Sequence, residues 1–208
     1  MSRDVVLATR NAGKLREMRD LLAPHGLHVL PVSSFTSAEV EETAPTFVEN
    51  ALLKARAAAR ASGLPAIADD SGIEVDALDG APGVHSARYA GEGAADADNV
   101  AKLLAALRAL ADEHRCARFR CAAVYLEHPE HPTPIIREAH WEGRILHAPR
   151  GSGGFGYDPV FLDPQSGLSA AELSAPHKNR ISHRALAVRA LVAALACVPG
   201  QPPRRAPR

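Results

Sequence analysis

Residues 66–91 read AIADDSGIEVDALDGAPGVHSARYAG, and the first ten of them decide what the rest of the chain must build. A short apolar run, 66–68, ends on two adjacent carboxylates, Asp69 and Asp70. Ser71 and Gly72 follow, and a second apolar run begins at Ile73. A strand that runs into Asp-Asp-Ser-Gly is expected to make a tight turn there, because all three residue types favour turn backbone. Neighbouring side chains in a strand point to opposite faces, so Asp69 and Asp70 cannot share one role. One can face a cleft and hold a cation while the other is satisfied locally. The competing reading is a plain turn whose Asp side chains bond their own backbone. The flanking chain decides between the two.

Upstream, residues 5–8 form a short apolar run with strand character. A polar loop follows, Thr9-Arg10-Asn11-Ala12-Gly13-Lys14, and then Leu15, Met18, Leu21 and Leu22 recur at helical spacing. A loop of this kind feeds a helix N-terminus, where free backbone N–H groups and the dipole attract an anion. Lys14 in the first turn opposes the dipole of an isolated helix and makes sense beside a bound anion. The loop is not a Walker A motif, since Ala8 stands where that motif needs its first Gly. A second strand is expected over 27–32, then an acidic loop over 33–45 with Glu39, Glu41 and Glu42. Thr46-Phe47-Val48-Glu49 fits a capping box, and Gly63 with Pro65 stops the helix it opens. Glu42 therefore sits just ahead of a helix start.

Downstream, Gly80, Pro82 and Gly83 mark a loop, and Arg88-Tyr89-Ala90-Gly91 closes the polar region. Val100, Leu103, Leu104 and Leu107 predict a helix over 96–111. Residues 119–126 and 135–143 read as a hairpin around two prolines, Pro129 and Pro132. His128 and His131 lie in that hairpin loop without a third ligand at metal spacing, which favours a loop over a metal site. Gly151-Ser152-Gly153-Gly154-Phe155-Gly156-Tyr157-Asp158-Pro159 is the second unusual stretch. Such a frame is costly in chain entropy unless it binds something, and a linker would not carry Phe-Gly-Tyr-Asp-Pro. A short helix is expected over 169–173. A basic segment then holds Lys178, His183 and Arg184, and a last helix over 182–196 points Leu186, Leu191, Val192 and Leu195 inward. Residues 199–208, rich in Pro and Arg, read as a disordered basic tail behind one domain of two lobes over 1–198.

Composition narrows the function. Lys+Arg and Asp+Glu are 24 each, which argues against a broad polyanion-binding surface but leaves room for one basic pocket. Aromatics are 4%, too few for a row of base-stacking platforms on single-stranded nucleic acid. Cys116, Cys121 and Cys197 form neither a disulfide framework nor a zinc pattern, and no membrane span or signal peptide is legible. The expected location is the cytoplasm, with no nucleic acid or membrane partner. A helix-start anion site beside two carboxylate regions suggests Mg²⁺, which one or two carboxylates hold together with phosphate oxygens. No Ser-His-Asp or Cys-His arrangement is legible, so direct attack by water is preferred to a covalent enzyme.

Six segments carry a resemblance in order along the chain. They are Thr9 to Lys14; Glu41-Glu42-Thr43 with Phe47-Val48-Glu49-Asn50-Ala51; Ala68 to Gly72; Gly80-Ala81-Pro82-Gly83 with Ser86-Ala87-Arg88-Tyr89; Gly153 to Pro159; and Ser182-His183-Arg184. Together these segments resemble the inosine/xanthosine triphosphate pyrophosphatase family, which removes deaminated purine nucleotides. The resemblance implies an α/β fold with an elongated mixed β-sheet flanked by helices, two lobes with a central cleft, and a homodimer. It implies Mg²⁺-dependent hydrolysis of ITP, dITP or XTP to the monophosphate and pyrophosphate. It places the triphosphate on Thr9, Asn11 and Lys14, counts Arg10, Ala12 and Gly13 among the substrate-binding residues, and places Mg²⁺ on Glu42 and Asp70. Asp70 is the implied base for the attacking water, ahead of Asp69, and Ser71 contacts the nucleotide. Phe155, Gly156, Tyr157 and Asp158 form the implied base pocket, closed by Lys178, His183 and Arg184.

Two positions depart from the family's pattern: Arg10 stands where a small residue is usual, and Pro176-His177 where acidic residues are. Two other readings compete. A nucleotide-binding regulatory module would bind ITP without turnover, and a pyrophosphatase for modified pyrimidine nucleotides would differ in a substrate panel.

Overall fold

Local signals place the helices. The computed structural model describes residues 3–197, so the tail expected at 199–208 lies outside the described residues. Asn11 caps α1 (Ala12–Leu22), its Oδ1 accepting from the Lys14 amide. Thr46 caps α2 (Phe47–Ser62), accepting from the Glu49 amide, and Gly63 ends the helix with a left-handed backbone. Ser182 caps α5 (His183–Ala196). Between them lie α3 (Asp96–Ala106) and α4 (Ala175–Ile181).

The strands are β1 (Arg3–Leu7), β2 (Leu27–Pro31), β3 (Ala66–Val75), β4 (Cys116–Leu126), β5 (Ile135–Ile145) and β6 (Phe161–Leu162). They form one sheet in the order β2-β1-β3-β4-β5-β6. β2 and β3 flank β1 in parallel, and the remaining pairs are antiparallel. The fold is a mixed α/β sheet flanked by helices, as the resemblance implies.

The turn expected at Asp69 to Gly72 is absent. β3 runs straight through it, paired without a break to β4 from Ala66↔Leu126 to Val75↔Ala117. Ten ladder positions on β4 outweigh the local turn preference of four residues. Gly72 serves close approach instead of a bend. A Cβ there would run into the Gly83 carbonyl oxygen, lie 2.5 Å from Ser86 Oγ and 3.0 Å from the Phe47 ring. Ser86 Oγ also accepts from the Ile73 amide at 2.9 Å, so this contact stitches the loop after β3 onto the strand. We expect Gly72→Ala to lower stability by about 1–3 kcal/mol through overpacking against backbone, read as a reduced midpoint in urea unfolding.

Alternation along β3 sorts its side chains. Ile67 joins the core under α1 and α5 with Val5, Leu7, Met18, Leu22 and Leu191. Ala68 joins the opposite core under α2 with Val6, Ala51, Ala55 and Ala58. The alanine face of α2 lets that helix lie close to the sheet. The far ends of β3, β4 and β5 enter a third core with α3, built on Ile73, Leu103, Phe119, Trp141 and Phe161. The long β3–β4–β5 ribbon thus runs from the first two cores into the third.

Three local expectations need correction, and one helix was not foreseen. Residues 169–173 form turns, because Ser169 bridges to Leu162 and the Ala170 amide is taken by Phe161 O, leaving no backbone for a helix. α3 ends at Ala106 and not at 111, where Arg115 Nη1 donates to Leu107 O at 2.6 Å. α4 lies within the basic segment, opened by Pro176 in its first turn. Leu186 is 38% exposed while Ala185, Ala187 and Val188 are buried. A helix so rich in Ala and Leu gives its periodicity little contrast with which to choose a face.

Candidate functional site

The alternation that sorts the cores also separates the two carboxylates. Asp69 follows Ile67 onto the α1/α5 face, and Asp70 follows Ala68 onto the α2 face. On the first face Lys14 Nζ lies 3.1 Å from Asp69 Oδ2 and Arg184 Nε donates to the same oxygen at 3.2 Å. Ser71, two residues on, donates to Asp69 Oδ2 at 3.2 Å and accepts from Arg184 Nη2 at 2.9 Å. On the second face Lys54 Nζ, from α2, donates to Asp70 Oδ1 at 2.7 Å and Glu42 Oε1 at 2.8 Å.

Their surroundings push the two carboxyls in opposite directions. Burial alone would raise Asp69, but Lys14, Arg184 and Lys54 outweigh it and hold the carboxyl far below the ordinary aspartate range. Burial raises Asp70, Lys54 and Lys14 oppose this, and the like charge of Glu42 adds to the rise. Asp69 is a fixed anion that anchors cations. Asp70 is the more basic carboxylate. Burial disfavours the Lys54 ammonium, but Asp70 and Glu42 more than compensate and keep it charged.

A cleft of about 560 Å³ joins these parts. Thr9, Arg10, Asn11 and Lys14 line it, as do Glu42, Asp70, Ser71, Phe155, Gly156, Tyr157, Asp158, Lys178, His183 and Arg184. Ala12 begins α1, and Gly13 backs the Phe155 ring, which a Cβ would meet at 2.5 Å. Arg10 spends Nη2 on the carbonyls of Thr36 and Ala38, both at 2.9 Å.

The glycine-rich loop folds around two carboxylates. Asp158 Oδ2 accepts from the Phe155 amide at 2.9 Å, and Gly154 has a positive φ and abuts the same oxygen. Asp96, at the start of α3, accepts from the Gly156 amide at 2.6 Å. Tyr157 donates to Ser86 O at 2.8 Å. The Phe155 ring lies under Lys178 Nζ and the Arg184 guanidinium, 5.2 and 5.5 Å from its centre. Lys178 Nζ donates to Asp158 at 2.5 Å and Glu17 at 2.8 Å, and Arg184 also pairs with Glu17. His183 stacks on Phe119 with Nδ1 buried and unpartnered. Burial, then the charges of Arg184 and Lys178, drive its pKa well below the ordinary histidine value, so it is neutral at pH 7.

Glu17, Lys54 and Asp96 escape the sequence reading. Lys54 had a signal, a charge in line with the buried alanines 51, 55 and 58 of α2. Glu17 had a weaker one, three residues beyond Lys14 and so on the same side of α1. Asp96 reads as an ordinary first-turn acid.

The donor set suits a divalent cation. Glu42 and Asp70 converge on one cationic nitrogen, and Asp70 Oδ2 is buried without a partner. Two carboxylates plus substrate oxygens are what Mg²⁺ ordinarily uses. Among the described residues no group of three or more His, Cys, Asp or Glu gathers at metal spacing. In the hairpin loop, the Glu127 amide donates to His131 Nδ1 at 3.3 Å.

The chain is similar to known proteins over nearly its whole length. Residues 5–194 match the family model described as Ham1 family. A dITP/XTP pyrophosphatase of Methylococcus capsulatus is 56% identical over 200 residues, covering 96% of this chain and 100% of that protein. One from Thioalkalivibrio sulfidiphilus is 57% identical over 188 residues, covering 90% and 96%. A HAM1 protein from Coxiella burnetii superposes with a TM-score of 0.84 at 47% identity, covering 94% of this chain and 98% of that one. The Staphylococcus aureus Ham1 protein gives 0.80 at 40% identity, covering 93% and 98%.

Proposed function

The chain belongs to the Ham1 family, and from that premise we propose how its cleft hydrolyses ITP, dITP and XTP to the monophosphate and pyrophosphate. The protein is a nucleoside triphosphate pyrophosphatase, a hydrolase of phosphoric anhydrides. The observation that carries the site reading is that Asp69 and Asp70 lie on opposite faces of β3, one held by Lys14 and Arg184 and the other by Lys54 beside Glu42.

Lys14, Thr9 and the free amides at the start of α1 receive the phosphates, and Lys54 adds a second cation from α2. Glu42 and Asp70 would hold Mg²⁺, whose charge screens the phosphate oxygens. Asp70 orients water toward the α-phosphorus and takes its proton, and pyrophosphate leaves. The purine sits at Phe155. Hypoxanthine and xanthine present a 6-oxo acceptor where adenine presents an amino donor. Lys178 and Arg184 are donors only, so adenine leaves a mismatched buried group at a cost of about 1–3 kcal/mol. Neutral His183 brings one further unpaired nitrogen to this end of the cleft. Incubation with ITP, XTP, ATP and GTP in Mg²⁺, with the inorganic product identified, tests the reading. Orthophosphate without pyrophosphate would exclude attack at the α-phosphorus.

Asp96 fixes the base loop from across the cleft. We expect Asp96→Ala to raise KM for ITP about tenfold, the worth of one charge-assisted hydrogen bond, with kcat little changed. Asp96→Asn keeps an acceptor oxygen and should restore KM. Steady-state kinetics on the pair checks this. A cytoplasmic homodimer without nucleic acid or membrane partners completes the reading, and no described helix is long and apolar enough to cross a membrane.

A further inference from the structure

The segment that carries Glu42 has little behind it. Residues 36–43 contain no helix or strand. Mostly exposed, they line both the nucleotide cleft and a second cavity of about 500 Å³, to which Arg88 and Glu92 also contribute. So exposed a wall is held by its tethers and not by packing. Besides the Lys54–Glu42 side-chain pair at 2.8 Å, three side chains tether its backbone. Asn50, fully buried, accepts from the Ala44 amide at 3.0 Å and donates to Ala44 O at 3.1 Å. Arg88 donates to Glu42 O at 3.0 Å. Arg10 donates to Thr36 O and Ala38 O.

Arg88 and Asn50 fasten the wall at and beyond Glu42. Arg10 fastens its near end, and it does so from the loop that receives the phosphates. We propose that Arg10 is a positioning residue that clamps the Glu42-bearing wall to the phosphate loop, so that the carboxylate on the metal side and the phosphate loop keep a fixed separation. This rests on the proposed site reading for Glu42. It assigns the Arg10 guanidinium to backbone carbonyls, where carbonyls of an unsupported loop are its bonded partners, and not primarily to a phosphate.

The two roles leave different traces. For Arg10→Ala in the full chain without ligand, hydrogen exchange at the Thr36 and Ala38 amides, which have acceptors at 3.1 and 3.0 Å, should rise about tenfold as the wall loosens. Exchange in β3 and α2 should stay unchanged. In kinetics with ITP, the Mg²⁺ concentration for half-maximal rate should rise severalfold, while KM for ITP falls back as Mg²⁺ approaches saturation. Unchanged exchange at Thr36 and Ala38 would overturn the clamp. So would a KM that stays high at saturating Mg²⁺, the mark of a lost phosphate contact. If the parent protein shows no divalent-metal dependence, the role of Glu42 fails. The exchange measurement then still decides whether Arg10 holds the wall.

Discussion

Asp70→Asn is expected to lower kcat for ITP by about 10²–10⁴-fold, the usual worth of a positioned general base. It should leave the fold intact. Asn is isosteric, and the site already disfavours a charge there: burial and Glu42 raise the Asp70 pKa despite Lys54. A folded-state pKa above the unfolded value means that ionised Asp70 works against folding at neutral pH. The variant should therefore melt at or slightly above the parent temperature. Lys54 keeps Glu42 as a partner at 2.8 Å, so the neutral amide does not strand a buried ammonium. Pre-steady-state chemistry and a thermal melt on the same preparation check both halves. A kcat within tenfold of the parent would remove Asp70 from the base role, and a large drop in melting temperature would reassign it to structure.

How much of this was legible in the sequence depends on whether the signal was local. Thr46 and Gly63 act within one turn of their own helix and appear in the cap and stop roles expected of them, while Asn11 and Ser182, at two expected helix starts, prove to be caps as well. The opposition of Asp69 and Asp70 follows from strand geometry alone, and the structure realises it. The turn at Asp69 to Gly72 failed because the deciding partner, β4, lies about fifty residues away and its ladder overrides local preference. The same gap hid Glu17 and Asp96. Glu17 has meaning only once α4 and α5 bring Lys178 and Arg184 beside α1. Asp96 has meaning only once the glycine loop folds back on α3. Motifs rich in rare backbone needs, such as 151–159, announce that they bind something. Acids and lysines on ordinary helices do not.

The neighbouring substitution should fail for the opposite reason. Asp69→Asn removes the anion on which Lys14 and Arg184 converge, in a site where the Asp69 side chain is wholly buried and that of Arg184 is 3% exposed. Glu17 still faces Arg184, but Lys14 loses its direct ion-pair partner. Breaking a buried ion pair from one side costs about 3–5 kcal/mol, and urea unfolding should show that loss as a lower midpoint at unchanged m. The pH dependence follows from the depressed pKa. The parent holds the full contribution of Asp69 above the unfolded aspartate value, about pH 3.9, and loses it as pH falls below that value toward the folded one. The gap between parent and variant should thus be constant from neutral pH down to about 5 and narrow below about 4. A variant as stable as the parent at pH 7 would mean that Asp69 does not anchor the two cations. Adjacent residues, one costing rate and the other costing stability, are what a strand crossing the floor of a cleft produces when its two faces meet different helices.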